Sequence, residues 1–212
     1  MSKIHIHDRH HAGKLLSEKL APIIKDRDCV VLAIPRGGVI VGDEIARALG
    51  LQLDVVISKK ITPPDYPEYA IGSITYDGVL YYGRDWNRYS DDPRFQEEIQ
   101  KKKAEVTRQI QAYRGHTNYS LEDKTILLVD DGIATGSTVS VILKWLEKKN
   151  TRQVILVTPV IPYTTHEIIK RFGVQIVALE IPMEFSSVGQ FYRKFDQIPD
   201  QIVQNILAKY KK

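Results

Sequence analysis

The chain has 212 residues, 43% of them hydrophobic and 26% charged, with a formal net charge of +4. That length suits one α/β domain with appendages, or at most two small domains, and the composition is ordinary for a globular protein with a real core. The charge surplus helps to attract a polyanionic small molecule, and without a basic stripe it is too small to argue for nucleic acid.

From the N-terminus, Ala12 to Lys25 carries Leu15, Leu16, Leu20, Ile23 and Ile24 on one broad apolar face, with Asp8 placed to cap a helix. Cys29 to Ile34 is a short continuous apolar run, as in a strand buried on both faces. It ends in Pro35-Arg36-Gly37-Gly38, after which Val39 to Leu49 reads as a helix closed by Gly50. Leu53 to Ile57 is a second strand, stopping at Ser58-Lys59-Lys60. Thr62 to Pro67, with three prolines, is an irregular loop. Ala70 to Tyr76 and Val79 to Tyr82 flank Asp77-Gly78, a two-residue hairpin signal. Such a hairpin is either a lid over a site or a stable edge.

Asp92-Pro93 reads as an N-cap followed by proline at the first helical position, and Phe95, Ile99, Val106, Ile110 and Tyr113 form one stripe of a long helix ending near Gly115. Thr125 to Val129 is a third strand, and Thr138 to Lys149 a helix with Val139, Ile142, Leu143 and Leu146 inward. Val154 to Pro159 and Val174 to Leu179 are strands around a helix from about Thr165 to Phe172, and Ile202, Val203, Ile206, Leu207 and Tyr210 mark a final helix. Strands alternating with helices predict an α/β fold: a parallel twisted sheet flanked by helices, with a hairpin lid and a small hood from the termini. The expected organisation is one domain over residues 1–212, with a core at about 28–180 and hood elements at about 1–27 and 181–212.

In an open parallel sheet, ligands collect at the carboxyl ends of the strands. The strand Thr125–Val129 delivers Asp130 and Asp131 to that edge. Two adjacent carboxylates repel each other and lose water there, which a bound diol, a metal ion or both would explain. Gly132 and Gly136 permit unusual backbone conformations, Thr135, Ser137 and Thr138 add hydroxyls, and the helix starting near Ser137 offers free N–H groups to an anion. The order acid, acid, Gly-rich turn, hydroxyls suggests a sugar diol beside a phosphate. It is not a Walker loop, because no lysine follows Gly136.

The run Leu128-Val129-Asp130-Asp131-Gly132-Ile133-Ala134-Thr135-Gly136-Ser137-Thr138 closely resembles the signature with which type I phosphoribosyltransferases bind 5-phosphoribosyl-1-pyrophosphate (PRPP). The resemblance implies that Asp130 and Asp131 hold the ribose hydroxyls and that residues 132–138 cradle the 5′-phosphate. Many members have Glu-Asp where this chain has Asp130-Asp131, which shortens the first carboxylate. Asp8-Arg9, Ala12-Gly13, Pro35-Arg36-Gly37-Gly38-Val39, Lys60, Pro67-Glu68, Ala70-Ile71-Gly72 and Phe185 to Tyr192 are similar to a group of phosphoribosyltransferases without a settled acceptor. By that resemblance Arg36, Gly37 and Gly38 form the pyrophosphate loop, and Lys60 is a second contact to pyrophosphate. The implied activity is transfer of the phosphoribosyl group to a nitrogenous base-like acceptor. Mg²⁺ is the expected cofactor, with Asp130 and Asp131 as candidate metal ligands and Arg36, Lys60, Asp130 and Asp131 as candidate catalytic residues. A PRPP or nucleotide sensor that has lost transfer, and a phosphosugar hydrolase, are the alternatives.

Other residues carry two readings each. Glu68 is either a general base or an exposed loop acid, and Tyr66, Tyr69, Tyr81 and Tyr82 either stack on an acceptor or pack the hairpin. His5, His7, His10 and His11 invite a zinc reading, but no cysteine accompanies them, and Arg9 is expected to pack or cap the first helix. Phe185 to Phe195 either lines an acceptor pocket or joins the last helix to the core. Lys101-Lys102-Lys103 reads as a solvated helix face, and Lys211-Lys212 as a frayed end. With a single cysteine, no run near the roughly 18 apolar residues of a bilayer span and no leader-like stretch, the expectation is a cytoplasmic protein without membrane or nucleic-acid partners. The family suggests a homodimer.

Overall fold

A computed structural model describes residues 6–24 and 28–211. The expectations that touched His5, Lys25 and Lys212 lie outside the described residues. The chain forms two compact units, one of residues 1–56, 120–134 and 150–212, the other of residues 57–119 and 135–149.

In the first unit, α1 (Arg9–Leu20) begins where Asp8 accepts a hydrogen bond from the His11 N–H, so the expected cap is present. The helix starts three residues before Ala12 and stops well short of Lys25, because Pro22 has no N–H with which to extend it. The strand β1 (Cys29–Ala33) leads into α2 (Gly37–Leu49), which ends at Gly50 in the left-handed conformation. β2 (Gln52–Val55) follows.

The second unit opens with β3 (Ser58–Ile61), β4 (Gly72–Thr75) and β5 (Leu80–Tyr82), an antiparallel sheet in that order. Ser58-Lys59-Lys60 therefore does not cap the second strand; it is most of a separate edge strand, and charged edge residues discourage further pairing. The turn after β4 is longer than two residues. The Thr75 N–H donates to the Val79 carbonyl at 3.0 Å and the Val79 N–H to Thr75 Oγ1 at 3.1 Å, and Gly78 takes the positive φ of +87° that the third position of such a loop needs. α3 (Pro93–Arg114) starts at Asp92, which accepts from the Arg94 N–H, and buries the five predicted residues Phe95, Ile99, Val106, Ile110 and Tyr113. Ile61, Ile71, Ile74, Trp86, Phe95 and Ile99 make this unit's own core.

The chain then supplies β6 (Thr125–Val129) to the first unit and α4 (Ser137–Glu147) to the second. β7 (Gln153–Val160), α5 (Tyr163–Lys170), β8 (Gln175–Glu180) and α6 (Asp200–Ala208) complete the first unit. Its five strands run parallel in the order β2-β1-β6-β7-β8, with β6 at the centre and every residue of β6 buried. The predicted α/β class, a parallel sheet flanked by helices, is what the chain forms. No described helix is long and apolar enough to cross a membrane.

The expected lid is part of a packed body. Asp77 in its turn accepts from Trp145 Nε1 of α4 at 2.9 Å, and Ser73 Oγ donates to the Ser137 carbonyl at 2.9 Å. The chain ends do meet in the first unit: Ile6 pairs with Tyr192 in a short parallel bridge, and Tyr210 past α6 donates to Asp43 on α2 at 2.8 Å.

Candidate functional site

β1 and β6 are neighbours, with Ala33 opposite Val129, so Pro35-Arg36 and Asp130-Asp131 leave the sheet side by side at its carboxyl edge. The Ile34 N–H donates to the Val129 carbonyl at 2.8 Å, and the Asp130 N–H to the Val157 carbonyl at 3.1 Å, so each loop starts from a fixed strand end. Beyond it, the Ile133 N–H bonds Val160 at 2.9 Å and Thr165 Oγ1 donates to the Ala134 carbonyl at 2.6 Å. Ile133 is buried and Ala134 exposed. The acidic loop is thereby held by β7 and α5.

The two carboxylates differ. Asp130 Oδ1 accepts the Asp131 N–H at 2.8 Å. Burial first, then the negative charge of Asp131, pushes the Asp130 carboxyl well above the usual carboxylate range. Asp131 instead meets a cation: Arg9 Nε donates to its Oδ2 at 2.6 Å. Arg9 is only 8% exposed, its Nη1 donates to the Asp196 carbonyl at 2.8 Å, and its guanidinium lies 3.9 Å from the centre of the Phe195 ring. Arg9 therefore does not merely pack or cap α1; Asp8 does the capping, and Arg9 reaches the candidate site.

Gly37 and Gly38 turn out to be buried in the first turn of α2 rather than free in a loop. A β-carbon on Gly37 would stand 1.8 Å from Asp131 Oδ2 and 2.5 Å from Arg9 Nε, and one on Gly38 would stand 2.8 Å from the Val129 carbonyl oxygen. Their most evident reason is close packing of the helix start against the acidic loop. Arg36 is exposed, with Nη1 3.6 Å from Asp200 at the start of α6.

The segment past β8 closes over the same loop. Tyr192 donates to the Asp131 carbonyl at 2.6 Å, and a β-carbon on Gly132 would stand 2.2 Å from Val188 Cγ1. Phe185 and Phe191 stack with centres 6.0 Å apart. The segment thus joins the chain end to the core, and it carries an aromatic pair as well. Arg9, Val188, Tyr192 and Phe195 are site neighbours that periodicity could not reveal; the only signal was the place of the first three in the motifs Asp8-Arg9 and Phe185 to Tyr192, and of Phe195 in the aromatic segment Phe185 to Phe195.

In the second unit, Lys60 sits in β3 opposite Ser73 and is exposed. Thr135 is exposed, Gly136 has φ +74°, and Ser137 and Thr138 form the first turn of α4, where no side chain caps the helix. The N–H groups of that turn are left for an anion or water. Glu68 and Tyr66 are exposed, Tyr69 donates to Asp85, and Tyr82 packs edge-on against Trp86 at 4.7 Å.

As a resident metal site the acidic pair does not fit. One Asp131 oxygen is taken by a guanidinium, one Asp130 oxygen accepts the Asp131 N–H, and no cluster of three or more His, Cys, Asp or Glu side chains able to hold a metal occurs among the described residues. The N-terminal histidines point to separate partners: His7 to Asp8, His10 to Glu44, and His11 to the His7 N–H.

Residues 4–167 match the family model described as the phosphoribosyl transferase domain. Two curated relatives from Mycobacterium tuberculosis, provisionally named as phosphoribosyl transferases, are 35% identical over 208 residues, which is 95% of this chain and 46% of each relative. The chain thus spans about half the length of the curated relatives it matches. A crystal structure of a Thermus thermophilus protein is 34% identical, with a TM-score of 0.83 over 99% of this chain and 100% of that one. An Aquifex aeolicus protein shares the fold at 14% identity, with a TM-score of 0.53 over 84% of this chain and 79% of that one. The chain belongs to the phosphoribosyl transferase domain family.

Proposed function

We propose that the protein transfers the 5-phosphoribosyl group of PRPP to a nitrogenous base-like acceptor and releases pyrophosphate. The observation that carries this reading is the adjacency of β1 and β6, which sets Arg36 beside Asp130 and Asp131 at one sheet edge. A leaving polyphosphate and a ribose need such neighbouring partners. Asp131 and Asp130 take the ribose hydroxyls, and the loop from Gly132 into the first turn of α4 takes the 5′-phosphate. Arg36, a planar donor fork with 45% of its side chain exposed, meets the pyrophosphate. Lys60 keeps its role as a pyrophosphate contact on the family resemblance alone.

In the reaction the bond from ribose carbon 1 to the pyrophosphate oxygen breaks, and its electron pair leaves with pyrophosphate. The acceptor nitrogen forms the new bond to carbon 1 and gives up its proton to solvent. Carbon 1 becomes cationic as the bond lengthens, so the work of the protein is to hold the ribose in line and to stabilise the departing negative charge. Magnesium enters with PRPP as part of the substrate.

The test is to incubate the protein with PRPP, Mg²⁺ and a panel of purine and pyrimidine bases and to measure pyrophosphate. Base-dependent release is expected. Release in water alone would point to a hydrolase, and saturable PRPP binding without turnover to a sensor.

A further inference from the structure

We propose that Arg9 is a positioning residue of the ribose site: from α1 it holds the Asp131 carboxylate in the orientation that a sugar hydroxyl meets, and it ties that carboxylate to the 195–196 segment. The inference rests on the ribose reading of Asp130 and Asp131.

Three features make the pair a built arrangement. Arg9 is anchored on three sides, by the Asp131 carboxylate, the Asp196 carbonyl and the Phe195 ring, and it is almost fully buried. Its backbone is anchored too, since Asp8 caps the helix turn that Arg9 begins. Room for the pair exists because position 37 is glycine, where a β-carbon would overlap both Asp131 Oδ2 and Arg9 Nε. A buried guanidinium requires compensation, yet Arg9 does not fold back on Asp8 beside it. It crosses to a carboxylate 122 residues away, in the loop that carries Asp130 next to Asp131.

The consequence for binding is direct. A free aspartate rotates about its side-chain bonds and must be ordered when a hydroxyl binds, whereas a carboxylate with one oxygen fixed is ordered beforehand. The positive charge also offsets the repulsion between Asp130 and Asp131. Because Arg9 is held by Asp196 and Phe195 as well, a shift of that segment moves the ribose carboxylate with it.

Titration calorimetry on the full chain with PRPP, ribose 5-phosphate and inorganic pyrophosphate tests this. Arg9→Gln should weaken PRPP and ribose 5-phosphate about tenfold or more, the scale of a lost charged hydrogen bond, and leave pyrophosphate within about twofold. Arg9→Lys, which keeps the charge, should recover part of the loss. In an Asp131→Asn background Arg9→Gln should cost little more, because both changes remove the same interaction. Unchanged PRPP affinity in Arg9→Gln, or an equal loss for pyrophosphate, would overturn the proposal. Should Arg9→Gln fail to fold, Arg9→Lys carries the test: it must weaken ribose 5-phosphate more than pyrophosphate, and equal effects overturn the idea. A wild-type chain that binds none of the three probes would instead remove the ribose reading itself.

Discussion

Tyr192 donates its phenolic hydrogen to the backbone carbonyl of Asp131 at 2.6 Å, so the loop with the two acids is bonded to the segment that follows the last strand. Burial first, then the charge of Asp131, pushes the phenol far above its usual range, which keeps it a donor into alkaline solution. Tyr192→Phe retains the ring contact with Phe195, at 4.8 Å between centres, and strands a half-buried carbonyl. A loss of about 1–2 kcal/mol is expected in chemical denaturation. An unchanged midpoint would show that water replaces the hydroxyl.

Asp130 predicts a pH effect with a definite sign. Its carboxyl is raised above the ordinary 3.8 by burial and by Asp131, so the unfolded chain gives up this proton at lower pH than the native one. The group therefore costs stability as pH rises from about 3.8 through the native value. Asp130→Asn should melt higher than wild type at neutral pH, with the gap shrinking toward pH 4, while ribose 5-phosphate affinity falls. A gap independent of pH would contradict this account.

Gly37→Ala places a methyl group in the space used by Asp131 Oδ2 and Arg9 Nε. Overpacking of this kind costs about 1–3 kcal/mol. The expected outcome is a lower melting temperature and about tenfold weaker PRPP binding, through loss of the pair. Calorimetry of both ligand binding and unfolding measures the two effects together.

In the second unit, Asp77 accepts from Thr75 Oγ1 at 2.7 Å, Trp145 Nε1 at 2.9 Å and Lys149 Nζ at 3.3 Å. Burial, the largest influence, raises its carboxyl, but the bonds from Thr75, Trp145 and Lys149 together outweigh it, and the net shift is downward. The stabilisation is present above the unfolded value of 3.8 and is lost as pH falls through the native one. Asp77→Ala should cost about 1–3 kcal/mol, because the indole N–H loses its acceptor. Hydrogen exchange in residues 72–82 should rise if the turn is anchored this way, and unchanged exchange would show that the hairpin holds by itself.

Local chemistry made much of the framework legible. The five apolar positions of α3 recur at helical spacing, and all five are buried. The apolar run Thr125 to Val129 forms the central strand with those bounds, and Gly50 and Gly115 stop their helices with positive φ. Where the signal was weak, the prediction slipped. Ser58-Lys59-Lys60-Ile61 lacks an apolar alternation, so a separate edge strand read as the stop of the strand before it.

By itself, then, the sequence determined most of the strands and helices and the place of the acidic turn, because apolar periodicity, caps and glycine stops act over a few residues. Tertiary structure alone decided what surrounds that turn. Arg9 and Asp131 are 122 positions apart, and no local pattern could pair them. Only the folded sheet, by bringing the ends of β1 and β6 together within reach of Arg9 at the start of α1, put a guanidinium on one acid and left the other half-buried and reluctant to ionise.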